Sequence, residues 1–340
     1  MTEPPKTEIL GVREYSAVIM LPLLIVGIVG NSFSIFVYSR KFMRRNAVGF
    51  LLLCLSITDF IVLVTSVPLF SYYKFPYIPG KNVAGSWHSR ICAFSVVYIY
   101  PIGSCAKMIS QYIIIIVSIE RWFAVCRPLQ VHIWCTIEIA LKQLIITILI
   151  SMCFNFPRFF EYSADLDKGV VNARLGHSQL SKKYFIIFYG FKSVVFDTVL
   201  PFIALTVTNF MVIRQLKKSS EQRKTMTTQE QKEAKTTLML LVMILLYGAT
   251  HLLNTIIKLA NIIFQRYGQH GSHVMLYLHH VSNILLVAYT TATFFIYLIF
   301  SIKYRQIICA IFTCRSIEEL NSTSNNVHRQ SNATTKSLKV

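Results

Sequence analysis

Long apolar stretches separated by short polar segments make up most of the chain. Each stretch is long enough to cross a hydrocarbon core of about 30 Å as a helix that rises about 1.5 Å per residue. The pattern predicts an all-α fold, a bundle of seven transmembrane helices over residues 15–300. The predicted spans, numbered one to seven, cover residues 15–38, 48–73, 91–117, 137–160, 184–213, 236–264 and 274–300.

The two ends of the chain differ from the predicted bundle. Residues 1–14 are polar and lack a signal sequence with a cleavage site, so span one is expected to insert by itself. Residues 301–313 place their apolar side chains on one helical face, which predicts a short amphipathic helix on the cytoplasmic membrane surface. Cys309 and Cys314 in this region are candidates for palmitoylation. Residues 314–340, rich in Ser, Thr and Asn, predict a disordered tail.

The basic residues predict the orientation of the bundle. When loops are assigned alternately to the two sides, the side with the C-terminus collects 19 Lys and Arg and the other side 11. Positively charged loops stay in the cytoplasm. We therefore expect a multi-pass plasma-membrane protein with an extracellular N-terminus and a cytoplasmic C-terminus.

Composition argues against several other classes. With 54% hydrophobic and 14% charged residues, the chain cannot hide its apolar surface in one soluble core. The net charge of +19 does not indicate nucleic-acid binding, because the basic residues lie between apolar stretches and suit loops that face anionic lipid. The eight cysteines include no CxxC pair and no spacing with histidine that suits zinc, so no metal site is predicted.

An acid and an arginine, Glu120 and Arg121, lie side by side where the third apolar stretch ends. Charges at such a position mark either the solvated end of a span or a costly site within the membrane. These two residues alone leave both interpretations open.

Polar residues inside the spans must find partners or a water-filled cavity. Asp59 lies in the middle of span two, where a lone carboxylate costs about 3 kcal/mol on insertion scales. We expect it to face Asn31 of span one, Ser110 of span three, water or a cation such as sodium. The alternative is a set of polar contacts that only holds helices together.

Four charged residues lie in the outer halves of the predicted spans: Lys107, Lys192, Asp197 and Lys258. A pair between Lys107 and Asp197 would neutralise both side chains. The clustering indicates a polar cavity that opens to the outside and could hold a ligand. Alternatively, Lys192 and Lys258 extend their charged heads to the membrane interface.

An ordered set of residues, each in its own span, carries a resemblance to a known superfamily. The set comprises Gly30-Asn31, Leu55 to Asp59, Glu120-Arg121-Trp122, Pro201 and Phe294 to Tyr297. Over nearly the whole chain it resembles the rhodopsin-type G-protein-coupled receptors. Residues 124–136 and 154–162, and Thr293-Phe294 near the end of span seven, resemble the invertebrate FMRFamide-type neuropeptide receptors, especially the nematode branch.

The sequence departs from the superfamily pattern in two places. Residues 161–183 contain no cysteine that could pair with Cys92, so the disulfide usual in the superfamily is expected to be absent. In span six, His251 and Leu253 stand where the superfamily has tryptophan and proline. This span is expected to bend by another route, such as at Gly248.

The resemblance implies a switch at the cytoplasmic ends of the spans. In the resting state Arg121 is expected to pair with Glu120 and Glu233, and Tyr297 closes span seven nearby. A ligand would favour outward movement of span six, which opens a pocket for a heterotrimeric G protein. Basic residues in 214–224 either steer that partner or simply keep the loop inside. Kinases and arrestin are expected at the tail.

The resemblance also implies a short extracellular peptide ending in Arg-Phe-amide as the ligand. The peptide arginine needs a carboxylate, for which Glu161 and Asp197 are the preferred candidates. The other predicted pocket residues are Lys107, Tyr98, His251, Lys258 and Tyr289.

Other functions compete with this one. A chemoreceptor of the same fold for a small molecule is the main alternative. A retinal pigment needs a lysine in span seven, and residues 274–300 contain none. A transporter should show internal repeats and paired spans broken by Gly or Pro, which the sequence lacks. No catalytic constellation lies among the intramembrane polar residues, so an enzyme is not expected.

Overall fold

The described part of the chain is a helical bundle, which confirms the predicted fold class. Among the described residues, six helices are long and apolar enough to cross a membrane, and the shorter apolar helix Leu245–Ile257 lies in predicted span six. The computed structural model describes residues 6–41, 43–72, 87–165, 167, 170–173, 186–222, 238–239, 242–243, 245–257, 259–260 and 273–312.

Most helix bounds agree with the apolar stretches to within four residues, but spans three and five continue nine residues past their predicted ends, and the helix of span one starts early. That helix begins at Lys6, well before residue 15, because prolines precede residue 6 and none occurs in residues 6–14. The spans made of a regular helix are Lys6–Tyr38 for span one, Ala47–Tyr72 for span two, Ile137–Asn155 with the 3₁₀ turn Phe156–Phe160 for span four, and His273–Phe300 for span seven.

Spans three and five contain π-helical turns, and in each span one such turn ends two residues before a proline. Pro101 and Pro201 carry no N–H, so the carbonyl four residues earlier loses its helical donor and the backbone widens. Span three consists of Trp87–Phe94, the π turn Ser95–Ile99 and Tyr100–Cys126. Span five consists of the π turns Ile186–Lys192 and Val195–Val199 followed by Leu200–Gln222.

A small antiparallel hairpin lies at one end of the bundle. Strand β1 (Tyr162–Asp165) pairs with β2 (Val170–Ala173) and packs against the start of span three. At the opposite end, the short helices Pro128–Gln130 and Val131–Trp134 follow span three and its Arg121. We call these the hairpin end and the arginine end of the bundle.

The helix that follows span seven lies within the segment predicted to be amphipathic, and we call it the surface helix. It covers Ile302–Phe312 and packs against spans one and seven. Tyr304, Ile307 and Ile308 are buried, whereas Cys309 is exposed. The buried side therefore faces the bundle.

Large apolar side chains also cover the outside of the bundle. Ile146, Leu149, Phe210 and Leu245 each expose more than half of their surface. Such a continuous apolar exterior is unsuited to water and is expected to face lipid.

Candidate functional site

The Asp59 carboxylate is buried and accepts hydrogen bonds from two other spans. Ser110 Oγ donates to Oδ1 at 2.6 Å, and Thr293 Oγ1 lies 3.2 Å from Oδ2. The single Thr293 proton is shared, because Oγ1 also lies 2.8 Å from the Thr290 carbonyl. Asp59 thus ties span two to spans three and seven, and its predicted contact with Ser110 is present.

Asn31, the other predicted neighbour of Asp59, bonds to main-chain groups instead. Its Nδ2 donates to the carbonyls of Gly27 at 2.9 Å and Thr290 at 3.4 Å. Its Oδ1 is buried and accepts no hydrogen bond from the described residues. This oxygen therefore remains able to accept a bond from water or to bind a cation.

Asp197 pairs with Lys192, so the predicted pair between Lys107 and Asp197 is wrong. Lys192 Nζ lies 3.0 Å from Oδ1 and donates to Oδ2 at 3.1 Å. Residues five apart point in different directions on an α-helix but are close to one turn apart in a π-helix. The π turns of span five therefore align these two side chains, which sequence spacing alone does not indicate.

Lys192 is 5% exposed, which also contradicts the alternative that its head extends to the membrane interface. Its ammonium lies 3.4 Å from Asn155 Oδ1 of span four and 5.4 Å from the centre of the Phe188 ring. The ion pair is therefore enclosed by the bundle.

A second buried cation, Arg158, lies beside this pair. It is 6% exposed, donates to the Tyr100 hydroxyl, and its guanidinium carbon lies 5.0 Å from the Tyr100 ring centre and 5.2 Å from that of Phe188. The sequence pattern did not indicate Arg158 as a site residue, because an arginine at the end of an apolar stretch usually marks the membrane interface. The three phenylalanines around it in residues 156–160 were the available signal.

Lys107 is half-buried and faces the same group of charges. Its ammonium is attracted by Asp197 and repelled by Arg158 and Lys192. Among the described residues it makes no hydrogen bond or salt bridge. We refer to Lys107, Arg158, Lys192 and Asp197 as the charge cluster.

Tyrosine hydroxyls from two spans bond to the backbone of span five beside the cluster. Tyr112 of span three donates to the Phe196 carbonyl at 3.2 Å, and Tyr247 of span six donates to the Asp197 carbonyl at 2.8 Å. The Asp197 carbonyl is the one that loses its helical donor at Pro201. Side chains on neighbouring spans thus compensate for the irregular helix.

His251, a predicted pocket residue, is buried next to Tyr247. The two rings stack with centres 4.2 Å apart, and the Tyr289 ring meets His251 edge-on at 6.2 Å. Gln111 Nε2 lies 2.9 Å from Nδ1 and 3.0 Å from Nε2 of His251. In a neutral imidazole, only one of these two ring nitrogens can accept a hydrogen bond. His251 and Tyr289 therefore form one cluster with Tyr247.

The remaining predicted pocket residues lie elsewhere. Glu161 is 3% exposed and precedes β1 at the hairpin end. Tyr98 lies with Phe94 and Ile102 on the exposed stripe of span three, apart from the buried clusters. Lys258 is outside the described residues.

Glu120 and Arg121 do not form the predicted hydrogen-bonded pair. Glu120 is 4% exposed, and neither of its carboxylate oxygens accepts a hydrogen bond from the described residues. Neighbouring residues on a helix do not face each other, which separates the two side chains. Glu233, the other predicted partner of Arg121, lies outside the described residues.

Tyr297 belongs to a buried group of three tyrosines at the arginine end. Its ring centre lies 5.4 Å from that of Tyr38 and 5.9 Å from that of Tyr304. Burial raises the pKa of Tyr304 to about 12, so its hydroxyl stays protonated when it meets Ser34 Oγ at 2.7 Å. The group joins spans one and seven to the surface helix.

Two of the three cysteines singled out in the sequence lie among the described residues. Cys92 is a buried thiol at the start of span three, and Cys309 is an exposed thiol on the surface helix. Cys314 lies outside the described residues. Cys309 is thus sterically open to modification.

Known proteins identify the family. The sequence model of the family described as 7 transmembrane receptor (rhodopsin family) matches residues 30–280 of this chain. The FMRFamide peptide receptor frpr-18 of Caenorhabditis elegans is 32% identical over 91% of this chain and 72% of its own length. The FMRFamide receptor of Drosophila melanogaster is 26% identical over 86% of this chain and 53% of its own length. Melanopsin-A of Danio rerio is 22% identical over 60% of this chain and 32% of its own length. The chain therefore belongs to the rhodopsin family of seven-transmembrane receptors, which are not enzymes.

Proposed function

We propose that this receptor binds a short extracellular neuropeptide of the Arg-Phe-amide type and that the peptide-bound receptor activates a heterotrimeric G protein. The observation that carries the proposal is the charge cluster enclosed at the hairpin end, with the aromatic cluster of Tyr247, His251 and Tyr289 nearby. A peptide that ends in an arginine and an aromatic ring needs both kinds of surface. The names of the two FMRFamide receptors support the same ligand class.

We place the hairpin end outside the cell and the arginine end in the cytoplasm of a plasma-membrane protein. The excess of Lys and Arg in the loops assigned to the arginine end supports this orientation. A peptide from outside then meets the charge cluster, and Arg121 is available to a cytoplasmic partner.

We assign the peptide arginine to Asp197 or Glu161. Asp197 already holds Lys192, but a guanidinium can form two parallel hydrogen bonds with a carboxylate and so competes well with an ammonium. Binding would then exchange one cation for another without leaving the carboxylate unpaired. Glu161 is the alternative carboxylate at the same end of the bundle.

At Asp59 we propose a site for a sodium ion. The carboxylate of Asp59, the hydroxyls of Ser110 and Thr293 and the unbonded Asn31 Oδ1 are hard oxygen ligands of the kind such a cation prefers. Agonist potency should then differ between sodium and a bulky organic cation in wild type, and the difference should vanish in Asp59→Asn.

Two further contacts are proposed at the cytoplasmic side. Exposed Cys309 can carry a palmitoyl chain that fixes the surface helix to lipid. The hydroxyl-rich residues 314–340 are proposed as the substrate of kinases and the docking segment of arrestin.

A library screen tests the proposed ligand class. Transfected cells would be exposed to a library of Arg-Phe-amide peptides and to a panel of small volatile and amine compounds, with calcium and cAMP as readouts. A response confined to peptides supports the proposal, whereas a response confined to the small-molecule panel would favour a chemoreceptor. A retinal pigment is not a candidate, because residues 274–300 contain no lysine.

A further inference from the structure

Lys107 is the member of the charge cluster whose charge lacks an ion-pair partner among the described residues. The carboxylate that attracts its ammonium is that of Asp197. Both oxygens of this carboxylate are within ion-pair distance of Lys192 Nζ. Lys107 is left without a hydrogen bond or salt bridge among the described residues.

Acids elsewhere at this end of the bundle do not supply the partner of Lys107. The segments 73–86, 174–185 and 261–272, which are not described, contain no Asp or Glu. Glu161, Asp165 and Asp167 lie in or beside the hairpin, but the charges that act on Lys107 are those of Asp197, Arg158 and Lys192. Among the described residues, the negative charge that acts on Lys107 is therefore that of Asp197, which Lys192 already holds.

An ammonium enclosed by helices is costly unless it is solvated or meets an anion. We propose that the charge cluster binds a negatively charged group of the ligand, a carboxylate, which accepts hydrogen bonds from Lys107. This assignment deepens the proposed function, on which it rests, by giving the ligand an acidic group.

The proposed peptide arginine makes this requirement stronger. Arg158 and Lys192 already repel the Lys107 ammonium. A peptide arginine placed near Asp197 would add to this repulsion. A ligand that brings its own carboxylate offsets this repulsion. The cluster therefore favours a peptide with both an acidic residue and an arginine over a purely cationic one.

Small probes test the carboxylate site without any peptide. Purified full-length receptor in lipid nanodiscs would be melted with increasing sodium acetate at a constant sodium concentration made up with sodium chloride, and with acetamide as the uncharged counterpart. The variants are Lys107→Gln and, as the matched control, Lys142→Gln, since Lys142 lies exposed on span four. We expect acetate to raise the melting temperature of wild type and of Lys142→Gln by the same few degrees, and to shift Lys107→Gln by less than half as much.

Without acetate, Lys107→Gln should melt at the same temperature as wild type or higher, because it removes a charge that the protein does not neutralise. An equal acetate shift in wild type and Lys107→Gln would overturn the proposal. So would a large destabilisation by Lys107→Gln alone, since it would show that the ammonium has a partner within the protein.

Paired peptides then distinguish this site from the peptide proposal itself. Two Arg-Phe-amide peptides that differ only in Glu or Gln before the arginine should differ at least about tenfold in potency on wild type, as a desolvated charge pair predicts. The ratio should fall close to one in Lys107→Gln and persist in Lys142→Gln. A ratio unchanged by Lys107→Gln contradicts the carboxylate site. If neither peptide activates wild type, the proposed peptide ligand fails, while the acetate measurement still decides whether the anion site exists.

Discussion

The Tyr247 hydroxyl donates a hydrogen bond of 2.8 Å to the main-chain carbonyl of Asp197. The side chain of Asp197 belongs to the charge cluster, and the ring of Tyr247 stacks on His251 of span six. A ligand that shifts Asp197 therefore acts directly on span six. Span six has no proline, and this hydrogen bond offers a route by which a signal from the ligand can reach it. The Asp197 carbonyl can accept the bond because Pro201 of span five lacks the N–H that would otherwise bond to it.

Replacing Tyr247 with phenylalanine should weaken this connection. Tyr247→Phe leaves the Asp197 carbonyl without its side-chain donor and should lower stability by about 1 kcal/mol. It should also reduce agonist efficacy more than agonist binding, because the ring packing is kept. Thermal unfolding and concentration-response curves measure the two effects. Tyr277→Phe, at an exposed position of span seven, is the control, and equal behaviour of the two variants would contradict the proposed route.

The pair between Lys192 and Asp197 should show strong coupling. Lys192→Met leaves a buried carboxylate and Asp197→Asn a buried ammonium, each at a cost of about 3 kcal/mol or more. The double variant should be more stable than Lys192→Met, because no unpaired charge remains at this pair. Thermal unfolding of the four proteins gives the coupling directly. Additive single effects would show that the ion pair at 3.0 Å does not stabilise the fold.

The close approach of spans one and seven should not tolerate a side chain at Gly30. A Cβ there would lie 2.6 Å from Cγ of Phe294, a ring atom that can move only if the whole side chain rotates. Gly30→Ala should therefore lower the melting temperature and the amount of receptor at the cell surface. Combining it with Phe294→Leu, which removes part of the ring bulk, should restore some of both. Unchanged surface expression of Gly30→Ala would refute this packing.

Arg121 should be required for coupling but not for folding. Arg121→Ala is expected to abolish G-protein activation while the receptor still reaches the cell surface and binds ligand. Arg127→Ala, an exposed arginine six residues further on, is the matched control and should signal normally. Surface labelling and a G-protein assay distinguish the two outcomes. A fully coupled Arg121→Ala receptor would remove this residue from the switch.

Hydropathy alone was sufficient to predict the spans, because the membrane demands long apolar helices whatever their packing. The contact of Asp59 with Ser110 was predictable for a related reason, since a carboxylate inside a span must find a partner. The surface helix followed from the one-sided pattern of its apolar residues.

The errors arose where geometry departs from regular α-helix or where contacts depend on tertiary packing. The pairing of Lys192 with Asp197 depends on π turns that spacing does not indicate. Adjacent Glu120 and Arg121 suggested a pair, but successive helical side chains diverge. Thr293 was not expected to reach Asp59, because threonine in a span usually bonds to its own backbone.

The most direct test of the central claim is the response of cells that express the receptor to FMRFamide and to its analogue with citrulline in place of arginine. Citrulline keeps the shape of arginine without its charge. Wild type should respond to FMRFamide in a concentration-dependent manner and at least about tenfold more weakly to the analogue, as expected for loss of a charge-assisted contact. The preference for arginine over citrulline should disappear in the variant that removes the carboxylate which binds the arginine, either Asp197→Asn or Glu161→Gln. No response of surface-expressed wild type to FMRFamide or to any Arg-Phe-amide peptide would contradict the account.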